Sequence, residues 1–152
     1  MRRGILLVAL FLIGGCRPKF GGPATGASSS DGAVQQFLSA ARAQDLQAMS
    51  AVWGDEQGAT RDRADRTEME RRLIIVACHL RHDESRIGAA LSGENGRTLH
   101  RVELTQGAKK ATPLFTTVRN GKSGRWFVAD LEMMALTGWC SGTQRLPPDA
   151  PR

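Results

Sequence analysis

Apolar residues follow three rhythms along this chain, and each rhythm predicts a different kind of structure. From 5 to 13 they are continuous. From 31 to 80 they recur every three or four residues, which places them on one face of a helix. From 85 to 133 they alternate, the period of a strand with one buried face. In the helical half, Asp31 is the expected N-cap of a first helix whose apolar face carries Val34, Phe37, Leu38 and Ala41. Asp45 caps a continuation bearing Leu46, Met49 and Val52 or Trp53, with a break near Gln44 and a stop at Gly54. The polar stretch 55–66 mixes charges of both signs and predicts a surface loop or a short helical turn. Thr67 and Glu70 have capping-box spacing ahead of Met69, Leu73, Val76 and Leu80. Ile74, Ile75, Ala77 and Cys78 widen that face, so the third helix is expected to be the most buried element.

The alternating half predicts strands over 85–91, 98–106, 111–119 and 125–133, joined by turns at 92–96, 107–110 and 120–121. Asn120-Gly121 suits a tight hairpin, and Pro113 suits an edge or a bulge. Three successive hairpins make an antiparallel four-stranded meander. Helices followed by such a sheet define an α+β class, with the helices packed on one face of a curved sheet.

The continuous run is of another kind. Arg2 and Arg3 precede it and Gly14-Gly15-Cys16 follow it, which is signal-peptide architecture; it is shorter than the roughly 20 residues a spanning helix needs. Ile13-Gly14-Gly15-Cys16 resembles the lipobox of bacterial lipoproteins, and the resemblance implies lipidation of Cys16 and cleavage before it. The expected organisation is then a signal peptide over 1–15, a flexible Gly-, Pro- and Ser-rich tether over 16–30, one domain over 31–140 and a disordered proline-containing tail over 141–152. The implied location is the bacterial cell envelope, lipid-anchored and facing the periplasm. Arg17 rather than Asp follows the cysteine, which favours the outer membrane where one is present.

Composition then narrows the chemistry. The chain has 152 residues and a formal charge of +6, two of those charges coming from Arg2 and Arg3. Modest basicity on an exported protein points to anionic lipid or glycan rather than nucleic acid. With Cys16 lipidated, Cys78 and Cys140 remain as an even pair in an oxidising compartment and are expected to be bonded, with Leu136 and Trp139 helping to bury the bridge. Between Arg97 and Arg125 seven basic residues face one acidic residue, Glu103; Lys109, Lys110, Lys122 and Arg125 lie in or beside turns and are expected at one rim of the sheet as an anionic-surface contact.

The element order is similar to that of the nuclear-transport-factor-two-like, or cystatin-like, cone over about 31–140. The likeness rests on Val34 to Ala40 with Asp45-Leu46, on the amphipathic run from Met69 to Leu80, and on Arg125-Trp126-Phe127-Val128. It implies a pocket between sheet and helices, used for catalysis, binding or packing alone. An isomerase- or dehydratase-type enzyme there needs a base and an oxyanion donor. His100 shares a face with Val102 and Leu104, and Asp130 and Glu132 share one with Trp126 and Val128, but the chain has no tyrosine to serve as donor. His79, His82 and Asp83 are close in sequence yet lie at a helix end with no second ligand cluster, so neither a metal nor a cofactor is expected. The reading is a non-catalytic binding or interaction module, with the enzyme as alternative and a protein partner unspecified.

Overall fold

The structure, a computed structural model, describes residues 25–141. The expected signal peptide, Cys16 and nearly all of the expected tail lie outside those residues. Three helices precede the main sheet: α1 (Ser30–Ala43), α2 (Leu46–Val52) and α3 (Arg66–His79). The cap of α1 is Ser29, whose Oγ accepts from Gly32 N at 3.0 Å. Asp31 instead lies in the first turn, where its negative charge complements the helix dipole. Gln44 ends α1 in the left-handed region at φ 56°, and Asp45 at once caps α2 through Ala48 N, which fixes the expected break. The cap of α3 is Asp65, which accepts from Glu68 N at 2.9 Å. Thr67 is therefore inside the helix, and Glu70 pairs with Arg66 at 2.8 Å.

The most buried helix is α1, which sinks Ala33, Val34, Phe37, Leu38, Ala40 and Ala41. The expectation for α3 is corrected: it buries Met69, Leu73, Val76 and Ala77 but leaves Ile74 and Ile75 56% and 57% exposed. The reason is its neighbours, since α3 packs on α1 and α2 while α1 lies across the sheet. The polar stretch before α3 is a small hairpin, β1 (Gly54–Asp55) with β2 (Gly58–Ala59), followed by a single 3-10 turn. Gly54 is required there because a Cβ would run into the carbonyl of Gly58.

The main sheet is antiparallel and has five strands: β3 (Glu84–Ser92), β4 (Thr98–Gln106), β5 (Lys109–Ala111), β6 (Leu114–Arg119) and β7 (Trp126–Leu131). Its order is β3-β4-β6-β7, with β5 paired to the end of β4. The single strand expected over 111–119 divides at Thr112-Pro113, where proline lacks the amide a ladder needs. Between β6 and β7 the register slips at Thr116/Thr117. This bulge changes which residues of β7 face inward, so Val128 and Leu131 both reach the main core although three positions separate them.

That core lies between the helices and the inner face of the sheet. His100, Val102 and Leu104 alternate into it as expected, and Phe37 joins the layers, 5.3 Å from Trp53 and 6.5 Å from Phe115 between ring centroids. A second cluster of Ala59, Val118 and Phe127 forms beneath the β1–β2 hairpin. The ordered domain begins earlier than 31: Ala27 is fully buried, and its backbone exchanges hydrogen bonds with Trp126. Among the described residues no helix is long and apolar enough to cross a membrane.

Candidate functional site

The structure joins Cys78, at the end of α3, to Cys140, with Cα atoms 5.1 Å apart and a sequence separation of 62. Leu136 and Trp139 are buried nearby. His79 reinforces the same junction, its Nδ1 standing 3.1 Å from the carbonyl of Leu136.

The four basic residues expected at one rim are not together. Lys109 follows the turn at the end of β4, whereas Lys122 and Arg125 follow the end of β6, which lies beside the start of β4. Thr98 pairs with Thr117 and Gln106 with Lys109, so eight residues of β4, roughly 26 Å, separate the two groups. Successive hairpin turns of a meander emerge at opposite ends, and these two turns are successive. Two of the four also have structural partners. Lys109 donates to the carbonyl of Gly138 at 3.0 Å, and Arg125 donates to the carbonyls of Thr25 and Gly26. Lys110 and Lys122 are exposed.

The remaining polar candidates separate in the same way. Asp130 and Glu132 do not line the interior: the bulge turns Asp130 outward, and exposed Glu132 accepts from Leu114 N at 3.2 Å. Asp83 accepts from Gly107 N at 2.7 Å, which tethers the β4–β5 turn. His79, His82 and Asp83 thus each serve a different local contact, and no group of three potential metal ligands occurs among the described residues.

The space between sheet and helices, where the cone likeness implies a pocket, is filled by Phe37, Met49, Phe115, Leu73 and Leu104, all at most 1% exposed. His100 is sealed within this packing at 0% exposure, and neither ring nitrogen has a hydrogen-bond partner. Its Nδ1 stands 3.5 Å from the Asp31 carboxylate. Burial pushes the His100 pKa below the ordinary histidine value, and the negative charge of Asp31 opposes that shift.

Asp31 also opens onto a cleft of about 570 Å³ between α1 and β3. Gln35, Ser39 and Arg42 continue along the same wall at helical spacing, and His82, Ser85 and Arg86 form the opposite one. Leu38 and Ile87 supply apolar surface. Arg86 is held by Glu103 through contacts of 2.7 to 3.0 Å, while Arg42 has no acidic partner among the described residues. His82 is 8% exposed and its Nδ1 lies 2.7 Å from the carbonyl of Leu80. A carbonyl only accepts, so Nδ1 carries the proton and Nε2 of the neutral ring is an acceptor. Nothing in sequence spacing unites 31–42 with 82–87; only the lateral placement of α1 against the sheet does so. Compared with protein-family models, curated proteins and solved structures, the chain matches none.

Proposed function

We propose that the chain is a lipid-anchored protein of the bacterial cell envelope, held through Cys16 and facing the periplasm, whose cone-like domain is a non-catalytic binding or interaction module. The observation that carries the non-catalytic part is the filled interior: the space a cone enzyme would use is occupied by Phe37, Met49 and Phe115, and the histidine within it is sealed. The pairing of Cys78 with Cys140 supports export, since it leaves Cys16 as the odd cysteine, free for a lipid. The described chain begins at Thr25, whose carbonyl accepts from Arg125. Eight residues lie between it and Cys16, a span of at most about 30 Å, so the anchor lies within that reach of the end of the sheet bearing Lys122. Anionic lipid is the partner proposed for that end, and the outer membrane is the favoured location because Arg17 follows the cysteine.

The test is Cys16→Ser in the full-length chain, with palmitate labelling and membrane fractionation as readouts. Loss of label and accumulation of soluble protein or uncleaved precursor are expected. Undiminished labelling and unchanged membrane residence would overturn the anchor. A small-molecule enzyme of isomerase or dehydratase type is the second reading, favoured by the 3.5 Å approach of Asp31 to His100, which pairs a carboxylate with a candidate base.

A further inference from the structure

The structure assigns the cleft between α1 and β3 as a binding site for a small phosphate ester that also carries a hydroxyl, that is, a polyol phosphate. Its volume of about 570 Å³ lies within the range of small-molecule sites. The assignment begins with His82, which is more than nine-tenths buried and lines the cleft. With Nδ1 committed to the Leu80 carbonyl, Nε2 has no hydrogen-bond partner among the described residues and is free to accept from a group that enters the cleft. Water donates to it in the free protein, and a ligand hydroxyl does so in the bound one.

The remaining groups are chiefly donors. Arg42 brings a full positive charge that no described carboxylate neutralises, and it lies one turn beyond Ser39 on the same helix face. Arg86 spends Nε and Nη2 on Glu103, leaving the Nη1 hydrogens unassigned. Gln35, Ser39 and Ser85 add amide and hydroxyl donors. Because donors come from two facing walls, they suit a tetrahedral oxyanion better than a planar carboxylate, which is usually met edge-on by one guanidinium. Asp31 lies about 16 Å from Arg42 along α1 and takes no part in holding the phosphate. Its charge, with that of Glu103, leaves the cleft close to neutral overall, so binding depends on the local Arg42 charge more than on a general positive field.

The same chemistry occurs in a free polyol phosphate and in the headgroup of an anionic phospholipid. Either source is compatible with this site, whose described lining residues do not include Cys16. The experiment uses the full-length chain in detergent micelles, titrated by calorimetry with glycerol 3-phosphate and with inorganic phosphate. Saturable binding of glycerol 3-phosphate is expected, and Arg42→Gln is expected to weaken it about tenfold or more, as for loss of a charge-assisted contact. Arg42 is exposed and contributes only a last-turn charge to α1, so the thermal midpoint of that variant should fall by no more than a few degrees. Ser39→Ala should weaken binding severalfold, and His82→Phe, which keeps a ring but removes the acceptor, should abolish the preference for glycerol 3-phosphate over inorganic phosphate. Competition from phosphatidylglycerol vesicles assigns the lipid source; binding of the free ester without such competition assigns the soluble one. Absence of saturable binding up to about 10 mM, or equal affinity in Arg42→Gln and the unmodified chain, overturns the assignment.

Discussion

Replacing His100 by leucine should stabilise this protein, which is the opposite of what an indispensable buried histidine would do. The imidazole is fully enclosed, faces Phe115 across the β4–β6 ladder, and has two nitrogens without hydrogen-bond partners. A buried polar group left unsatisfied costs about 1–3 kcal/mol, whereas an apolar group of similar size restores the transfer energy of the site. Some of that gain is lost because leucine does not reproduce the planar shape of the ring. The expected net at pH 8 is a gain of about 1 kcal/mol. Acid should enlarge the difference. His100 has a folded-state pKa below its unfolded value, so as pH falls below about 6.5 the unfolded chain takes up a proton that the folded chain does not. The stability contributed by neutral His100 is thus complete above that pH and is lost as pH falls toward the folded value. The loss is limited to about 1.4 kcal/mol per pH unit, or at most about 2 kcal/mol by pH 5.

Guanidinium unfolding of both proteins at pH 8, 6.5 and 5 measures this, because the difference between them cancels ionisations they share. His100→Leu should show the higher midpoint at every pH, by a margin that widens in acid, with unchanged denaturant slopes. Asp31→Asn should steepen the acid loss, because it removes the charge that favours protonated His100; a small pH-independent loss at the α1 terminus accompanies it. A leucine variant less stable at pH 8, or one whose pH profile runs parallel to that of the unmodified protein, would refute the reasoning.

Two further predictions concern the disulfide and the end of the sheet proposed to meet anionic lipid. Cys78→Ser/Cys140→Ser should lower unfolding stability by about 4 kcal/mol, the loop-closure value for a separation of 62 residues, read by denaturant unfolding under oxidising conditions; a loss under 1 kcal/mol would mean that the C-terminal segment is held by Trp139 and Leu136 alone. Lys122→Gln should weaken attachment of the unlipidated chain to anionic vesicles about fivefold at low salt, while Lys109→Gln/Lys110→Gln should leave it nearly unchanged; sedimentation showing the reverse order would place the other end of the sheet at the bilayer.

The parts of the fold legible in the sequence were those governed by uninterrupted local periodicity. The face of β4 carrying His100, Val102 and Leu104 follows directly from alternation, as does the buried stripe of α1. Elements shaped by a single irregular residue were not legible. The bulge opposite Thr116/Thr117 turns Asp130 away from the core, and no residue type at that point announces it. Pro113 did signal an interruption, but only pairing with the end of β4 makes Lys109–Ala111 a separate strand. The apolar run of α3 was misleading in another sense. Ile74 and Ile75 extend the stripe on paper, yet burial depends on what lies opposite, and α3 rests on two helices rather than on the sheet. Likewise, lysine content could mark the turns as basic but could not bring opposite ends of a strand together.

The stacking of α3 on the other helices also explains why the cleft exists. A helical layer that covered the whole sheet would bury alternate residues of β3, as happens on β4. Instead, every residue of β3 is exposed except Ile87, which is half-buried, and the strand projects beyond the cover given by α1. The flank of α1 is thereby left facing the side of β3, with polar Gln35, Ser39 and Arg42 on it rather than apolar residues. Such an edge is ordinarily open to pairing with another strand. Here the Arg86–Glu103 pair and the register shift between Ile87 and Ala90 make it charged and irregular, which disfavours a neighbouring strand while leaving room for a small molecule. The irregular edge and the polar helix flank therefore have one consequence: a concavity accessible to solvent lies beside the sheet, where a ligand can enter without disturbing the packed aromatic residues that hold the two layers together.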